Sequence, residues 1–236
     1  MPHGLAMPVP NLQIARRRLN FYYILDVSGS MTTNGRIQAL NQSVRQSIPK
    51  MLEAAKTSPN AELMVHAITF NSTAQWHLYP GIPIESFVWQ DVTAGGATSM
   101  GAAVGKVCDE LENNMPSRSL PPVLVLVSDG HPTDNFDQSI TRLAQSPWGR
   151  KAVRIAIGMG PRHEIDWGTM ERFMFDMDLQ PLHAANSADL ADYIRWASTV
   201  AVAASSAGTS TGEDASPFYM SSPPIPQTVI DYGDVF

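Results

Sequence analysis

Several short stretches of the chain are apolar at every position instead of at alternate positions. After Asn20, residues 21–25 read Phe-Tyr-Tyr-Ile-Leu, and residues 123–127 read Val-Leu-Val-Leu-Val. Each run stops abruptly at an Asp or a Ser. Strands of this kind are buried on both faces, which is typical of a parallel sheet covered by helices. The sequence therefore predicts an α/β fold.

Between these runs, apolar residues recur at spacings of three and four, which indicates amphipathic helices. The predicted strands cover residues 20–25, 63–70, 123–127, 153–157 and 182–184. The predicted helices cover residues 37–55, 100–111, 135–144, 164–175 and 188–204, with a kink or break at Pro49 and a cap at Ser187. Strands that alternate with helices form crossovers on both faces of a sheet. We therefore expect a doubly wound α/β domain over residues 16–204, with a mainly parallel sheet and helices on both faces.

The two ends of the chain differ from this domain in composition. Residues 1–15 contain three prolines and no sustained period, and we expect an N-terminal arm there. Residues 205–236 are acidic and rich in Ser, Thr and Pro, so this C-terminal tail is expected to be flexible on its own. Its end, residues 223–236, is more apolar. That end is either a docking peptide or a disordered segment with chance apolar residues.

The charge and the cysteine content exclude some classes of function. The formal net charge is −6, and no basic stripe is present to neutralise phosphates, so nucleic acid is not an expected partner. The single cysteine, Cys108, cannot form an internal disulfide, and its apolar neighbours predict a buried thiol. No stretch has the apolar length of a membrane span, and the N-terminal prolines and arginines interrupt any signal-peptide pattern. We expect a cytoplasmic protein with no membrane contact.

Oxygen-bearing side chains follow two of the predicted strands and precede one helix. Asp26, Ser28 and Ser30 come after the first strand, Asp129 comes after the strand at 123–127, and Thr98 precedes the helix at 100–111. In an open α/β sheet such segments meet at the carboxyl edge, where ligands bind. Carboxylates and hydroxyls without His or Cys suit Mg²⁺, Mn²⁺ or Ca²⁺ and do not suit Zn²⁺. The sequence therefore predicts a site for one divalent cation, with Mg²⁺ as the first choice.

The Asp26-x-Ser28-x-Ser30 pattern, followed by Thr98 and Asp129, resembles the metal-ion-dependent adhesion site of the von Willebrand factor A (VWA) family. The resemblance implies a VWA fold, related to the Rossmann type. It also implies that Ser28, Ser30 and Thr98 ligate the cation directly or nearly so. Asp26 and Asp129 would act largely through water and supply negative charge.

Within that family, the chain is most similar to the TerY-like proteins of bacterial tellurium resistance and stress response. The similarity runs from about residue 18 to 204 and is carried by residues 23–31, 96–101 and 128–134. It implies a cytoplasmic role beside a protein kinase and a metal-dependent phosphatase. The acidic tail departs from this pattern.

A catalytic role requires a general base or a nucleophile beside the metal. Asp26 and Asp129 are committed to the cation, and the sequence offers Ser28 and Ser30 no histidine partner. We therefore expect a binding protein and not an enzyme, in which a partner's Asp or Glu carboxylate completes the coordination of the metal. An accessory subunit of a metal chelatase or another ATPase machine is the alternative, and a metal-dependent hydrolase is the third hypothesis.

Two further features close to the site have competing interpretations. His131 and Asp134 either line the rim of the metal site or belong to a turn with Gly130 and Pro132. Residues 158–160, Gly-Met-Gly, follow a strand, but the third glycine of a dinucleotide-binding loop is missing.

Overall fold

In the computed structural model, the described residues are 16–57, 61–175, 179–206 and 223. The predicted arm at 1–15 and almost all of the predicted tail lie outside them. The strands are β1 (Arg17–Asp26), β2 (Ala61–Phe70), β3 (Ala74–Pro83), β4 (Val123–Ser128), β5 (Val153–Met159) and β6 (Leu182–Ala184). They form one six-stranded sheet in the order β3-β2-β1-β4-β5-β6. Only the edge pair β2–β3 is antiparallel. The mainly parallel sheet is thus confirmed.

The helices are α1 (Arg36–Lys56), α2 (Met100–Asn113), α3 (Phe136–Gln145), α4 (Pro147–Lys151), α5 (Trp167–Met174) and α6 (Ser187–Ser206). Short 3₁₀ segments lie at Gly29–Gly35, Ile84–Ser86 and Arg162–Glu164. Among the described residues, no helix is long and apolar enough to cross a membrane.

The core lies on both faces of the sheet, because successive side chains of the central strand point to opposite sides. On β1, Phe21 and Tyr23 face the layer of α1 and α6, whereas Tyr22 and Ile24 face the layer of α2, α3 and α5. Cys108 is buried in the second layer, as predicted. Because both faces are covered, residues 21–25 of β1 and 123–127 of β4 are apolar at every position.

Several details differ from the predicted elements. Strand β3 was not predicted, and the predicted helix at 164–175 is a 3₁₀ turn followed by the shorter α5. Helix α1 continues through Pro49, so of the predicted kink or break at that position the break is wrong. The side chain of Asn186, and not that of Ser187, accepts hydrogen bonds from the first backbone amides of α6. Helix α6 extends to Ser206, two residues beyond the predicted end of the domain.

The strand order reverses at β1, since β2 lies on one side of it and β4 on the other. The crevice beyond the carboxyl ends of β1 and β4 is therefore the switch point at which this type of fold binds ligands. Asp26 is the last residue of β1, and Asp129 directly follows β4. The fold places both predicted carboxylates at this crevice.

Candidate metal centre

Asp26 is fully buried at the end of β1 and is fixed by two hydrogen bonds. Its Oδ1 accepts from the backbone amide of Ser28 at 2.8 Å, and its Oδ2 accepts from Oγ of Ser128 at 2.5 Å. Burial raises the pKa of this carboxyl to about 6, the nearby Asp129 adds to the rise, and the serine hydrogen bonds oppose it. A cation in the crevice would offset the burial of this charge.

Ser28 and Ser30 lie at the start of the loop that follows β1. Their hydroxyl oxygens are 3.1 Å apart, and Ser28 is buried while Ser30 is partly exposed. Alternate residues off the end of the strand thus direct two hydroxyls to one point, as the spacing predicted. Two neighbouring neutral oxygens of this kind are ligands that hard cations accept.

The loop that carries Thr98 is joined to the β1 loop by backbone hydrogen bonds. The amide of Gly29 donates to the carbonyl of Gly96 at 2.9 Å, and the amide of Gly95 donates to the carbonyl of Val27 at 2.8 Å. A Cβ at Gly29 would lie 3.2 Å from that Gly96 oxygen, so the two chains approach closely. These contacts hold the loop of Thr98, a residue that is itself buried, beside the serines.

A second loop fixes Thr98 from the opposite side. The Thr98 amide donates to Oγ1 of Thr133 at 3.1 Å, and the Thr133 amide donates to the Thr98 carbonyl at 2.8 Å. Asp134 accepts from the amides of Gly101 and Ala102, both at 2.8 Å, and so caps the start of α2. The segment after β4 therefore supports the Thr98 loop.

Asp129 is buried, and one of its oxygens has no partner in the described part of the chain. Its Oδ1 makes no hydrogen bond, and its Oδ2 lies 3.8 Å from Nη1 of Arg36. A buried carboxylate oxygen without a partner costs free energy, and a bound cation or its water would remove that cost. This oxygen is the feature of the crevice that a positively charged ligand would satisfy.

The donor set fits a hard divalent cation. Within residues 16–57, 61–175 and 179–206, no group of three or more His, Cys, Asp or Glu side chains is placed to hold a metal. The crevice combines two carboxylates with hydroxyls, and oxygen ligands of this kind suit Mg²⁺, Mn²⁺ and Ca²⁺. Asp26, Ser28, Ser30, Thr98 and Asp129 are the residues that would hold it, and the cation would supply an electrophilic position for an outside carboxylate.

Sequence reasoning missed two residues that shape the site, Ser128 and Arg36, and left the role of a third, Asp134, open. Ser128 binds Asp26, Arg36 approaches Asp129, and Asp134 supports the loop of Thr98. A hydroxyl at the last position of β4 was a readable signal for Ser128. Arg36 gave none, because its contacts form only when distant parts of the chain meet.

The structure gives Asp134 and His131 contacts that neither interpretation of residues 131–134 predicted. Asp134 supports the start of α2. His131 is exposed, and its Nε2 lies 2.7 Å from the carbonyl oxygen of Glu164. It therefore joins the loop after β4 to the 3₁₀ segment at Arg162–Glu164.

The geometry defines an α/β domain with a candidate oxygen site at its switch point, and comparison with known proteins names the family. The model of the von Willebrand factor type A domain matches residues 20–193. The chain belongs to the von Willebrand factor type A family. A comparison with curated proteins gave no significant match.

Solved structures share the fold at low sequence identity. A von Willebrand factor type A protein from Catenulispora acidiphila is 14% identical with a TM-score of 0.60, over 79% of this chain and 43% of that one. The ArnB paralog VWA2 from Sulfolobus acidocaldarius is 18% identical with a TM-score of 0.52, over 77% and 45%. Proximal thread matrix protein 1 from the mussel byssus, described with a zinc-occupied MIDAS motif, is 12% identical with a TM-score of 0.53, over 80% and 46%. This chain thus spans less than half of these relatives.

Proposed function

We propose that this chain is a cation-dependent protein-binding domain. Asp26, Ser28, Ser30, Thr98 and Asp129 hold one divalent cation, and an Asp or Glu carboxylate of a partner protein completes its coordination. The observation that carries the proposal is the buried, unpartnered Oδ1 of Asp129 beside the paired serine hydroxyls at the switch point. The family membership supports the same reading.

Mg²⁺ is the cation that we propose, with Mn²⁺ and Ca²⁺ as alternatives. Carboxylate and hydroxyl oxygens are hard ligands, and hard cations prefer them. The mussel relative is described with zinc in the corresponding motif, so Zn²⁺ belongs in the same titration. Each Kd is then compared with the free concentration of that ion, because raw affinity alone follows the Irving–Williams order.

Binding, and not catalysis, is the proposed role. Oγ of Ser28 and Oγ of Ser30 pair with each other, and His131 is engaged with the backbone of Glu164. In the described chain, neither serine is therefore joined to a histidine that would activate it as a nucleophile. The remaining chemistry of the site is an electrophilic cation with a position for an external ligand.

The cellular setting is proposed from the similarity to TerY-like proteins in residues 23–31, 96–101 and 128–134. A protein kinase and a metal-dependent phosphatase of a bacterial stress response are the proposed partners, in the cytoplasm. The lack of a basic stripe in the sequence supports protein partners over nucleic acid.

Thermal melting tests the cation site directly. The chain is melted in EDTA and then with Mg²⁺, Mn²⁺, Ca²⁺ or Zn²⁺. A site saturated about 100-fold over its Kd adds about 2.7 kcal/mol, which is about 5 °C or more in Tm for a domain of this size. Asp26→Ala and Thr98→Ala should abolish the rise, whereas Asp109→Ala, which removes an exposed carboxylate, should keep it. A native chain that melts identically with and without all four ions contradicts the proposal.

Partner binding is tested by capture with the full chain in Mg²⁺ and in EDTA. The native chain and Asp109→Ala should retain the same partner in Mg²⁺ and release it in EDTA. Thr98→Ala should fail to retain it under either condition. A partner that stays bound in EDTA would show that the interface does not use the cation.

A further inference from the structure

Arg36 is a buried cation within reach of the candidate metal centre. It is the first residue of α1, and its side chain is only 6% exposed. Nη1 lies 3.8 Å from Oδ2 of Asp129 and 3.4 Å from the backbone oxygen of Ser30, and Nη2 pairs with Oε2 of Glu164. A guanidinium stays charged at any accessible pH. The site therefore contains a permanent positive charge of its own.

The backbone around Arg36 leaves space for this guanidinium. Gly160 has a φ of +122°, and a Cβ at that position would lie 2.7 Å from Cζ and Nη2 of Arg36. The loop after β5 can thus pass beside the guanidinium only without a side chain. Arg36 is held in a fixed place by three segments: the β1 loop, the residue after β4 and the loop after β5.

The two carboxylate partners of Arg36 differ in exposure. The side chain of Asp129 is 5% exposed and faces the candidate cation site, whereas that of Glu164 is 46% exposed. If Asp129 coordinates a cation, Arg36 still pairs with Glu164. The buried guanidinium is therefore not left without an anion. An unpaired buried charge would be strongly destabilising, and this arrangement avoids it with the metal present or absent.

We propose that Arg36 is a positioning residue which holds Asp129 in the metal-free site and lowers the affinity of that site for the divalent cation. The inference rests on the proposed function, because it concerns regulation of the same centre. Like charges repel, and the repulsion between a guanidinium and a divalent ion several ångströms apart is large in a poorly hydrated site. The isolated domain then binds its cation weakly, and a partner's carboxylate restores the missing negative charge. Cation and partner therefore bind cooperatively.

Whether Arg36→Met tightens or weakens Mg²⁺ binding separates this role from a purely structural one. Arg36→Met should bind Mg²⁺ about tenfold more tightly than the native chain, because a nearby positive charge is removed. The same variant should melt at a lower temperature in EDTA, where Asp129 loses its counter-charge. Damage to the site would instead weaken Mg²⁺ binding.

The measurement is isothermal titration with Mg²⁺ alone, together with melts in EDTA. Arg36→Lys keeps the charge and should bind within about twofold of the native chain. Arg45→Met is the matched control, since it removes an exposed positive charge on the same helix, nine residues further along. Its Mg²⁺ affinity should equal that of the native chain.

A second pair of variants decides the matter if Arg36→Met does not fold. Glu164→Gln removes the competing partner of Arg36 and should weaken Mg²⁺ binding several-fold, whereas Glu171→Gln, an exposed change on α5, should not. Equal Mg²⁺ affinities for these two variants, or an Arg36→Met chain that binds as the native one or more weakly, overturn the role of Arg36. If the native chain binds none of the four cations, the proposed function is overturned instead.

Discussion

Ser128 donates a hydrogen bond from its hydroxyl to Oδ2 of Asp26 over 2.5 Å, and so joins the ends of the two strands at the switch point. The same Ser128 oxygen accepts from the amide of Gly130 at 2.9 Å. Ser128 and Asp26 are both buried. One hydroxyl therefore fixes the direction of the Asp26 carboxylate and the turn that carries Asp129.

Ser128→Ala should destabilise the fold by about 1–3 kcal/mol, because it leaves a buried carboxylate oxygen and a buried amide without their partner. It should also weaken Mg²⁺ binding, since Asp26 is then free to turn. Urea unfolding in EDTA and Mg²⁺ titration measure the two effects. Ser117→Ala, at an exposed position, is the control and should change neither quantity. Native-like stability of Ser128→Ala would mean that the short contact has no energetic role.

The main strands of the sheet could be predicted because strands that are buried on both faces have an apolar composition. Residues 21–25 of β1 and 123–127 of β4 are apolar at every position and are buried on both faces. β3 escaped prediction because it is a half-exposed edge strand with Pro80, Gly81 and Pro83 in its second half. Prolines and glycines are tolerated at an edge, where only one side of the strand needs a ladder. The edge position itself cannot be read from the sequence.

The candidate ligands could be predicted because three of them share one local motif and the others end or begin neighbouring elements. Arg36 and Glu164 could not be, since they are 128 positions apart and meet only in the folded chain. In the sequence, Arg36 and Glu164 each look like an ordinary charged residue. The electrostatic setting of the site is therefore a tertiary property, whereas its ligand set is a local one.

Gly96→Ala should disturb the Thr98 loop and lower the affinity for Mg²⁺. Gly96 has a φ of +91°, and an added Cβ would lie 2.6 Å from Oγ of Ser72. Strain of this kind costs about 1–3 kcal/mol. Gly105→Ala is the control, because its Cβ would lie at an ordinary contact distance of 3.7 Å from Oγ of Ser139. Replacing a helical glycine with alanine stabilises the fold by about 0.5–1 kcal/mol. Thermal melts in EDTA should therefore shift in opposite directions for the two variants.

Asp134→Ala should remove the cap of α2 and cost about 1–2 kcal/mol. Both of its carboxylate oxygens accept from the first turn of that helix, only three and four residues beyond Thr98. The variant should therefore also weaken Mg²⁺ binding. Ser146→Ala, which removes the acceptor for the Gly149 amide in α4, is a cap deletion away from the site. It should reduce stability without affecting Mg²⁺, and a parallel loss of Mg²⁺ binding in both would refute a local effect of Asp134.

His66 is a buried histidine in the middle of β2, in register with Tyr22 of β1. Its ring stacks on Tyr22 with centroids 4.3 Å apart, and its Nε2 lies 3.1 Å from Oδ1 of Asn20. Nδ1 is buried and has no hydrogen bond within the described residues. Burial lowers the pKa of His66 to about 4, and the positive charge of Arg18 contributes to the shift. Glu110 and Tyr79 line the same cavity.

The contribution of His66 to the stability of the fold should therefore fall as the solution is acidified. The pKa of a histidine in the unfolded chain is about 6.5, so between about pH 6.5 and about pH 4 the unfolded state binds the proton and the folded state does not. Stability from this residue is present above the unfolded pKa and is lost as the pH drops towards the folded pKa. Between about pH 7 and about pH 5 the loss should be about 2 kcal/mol.

Urea unfolding of the metal-free chain at the two pH values measures this loss. The free energy of unfolding should decline more steeply for the native chain than for His66→Gln. His163→Gln, at an exposed position, should decline as the native chain does. Equal declines for the native chain and His66→Gln would mean that His66 takes up its proton as readily in the folded state as in the unfolded one.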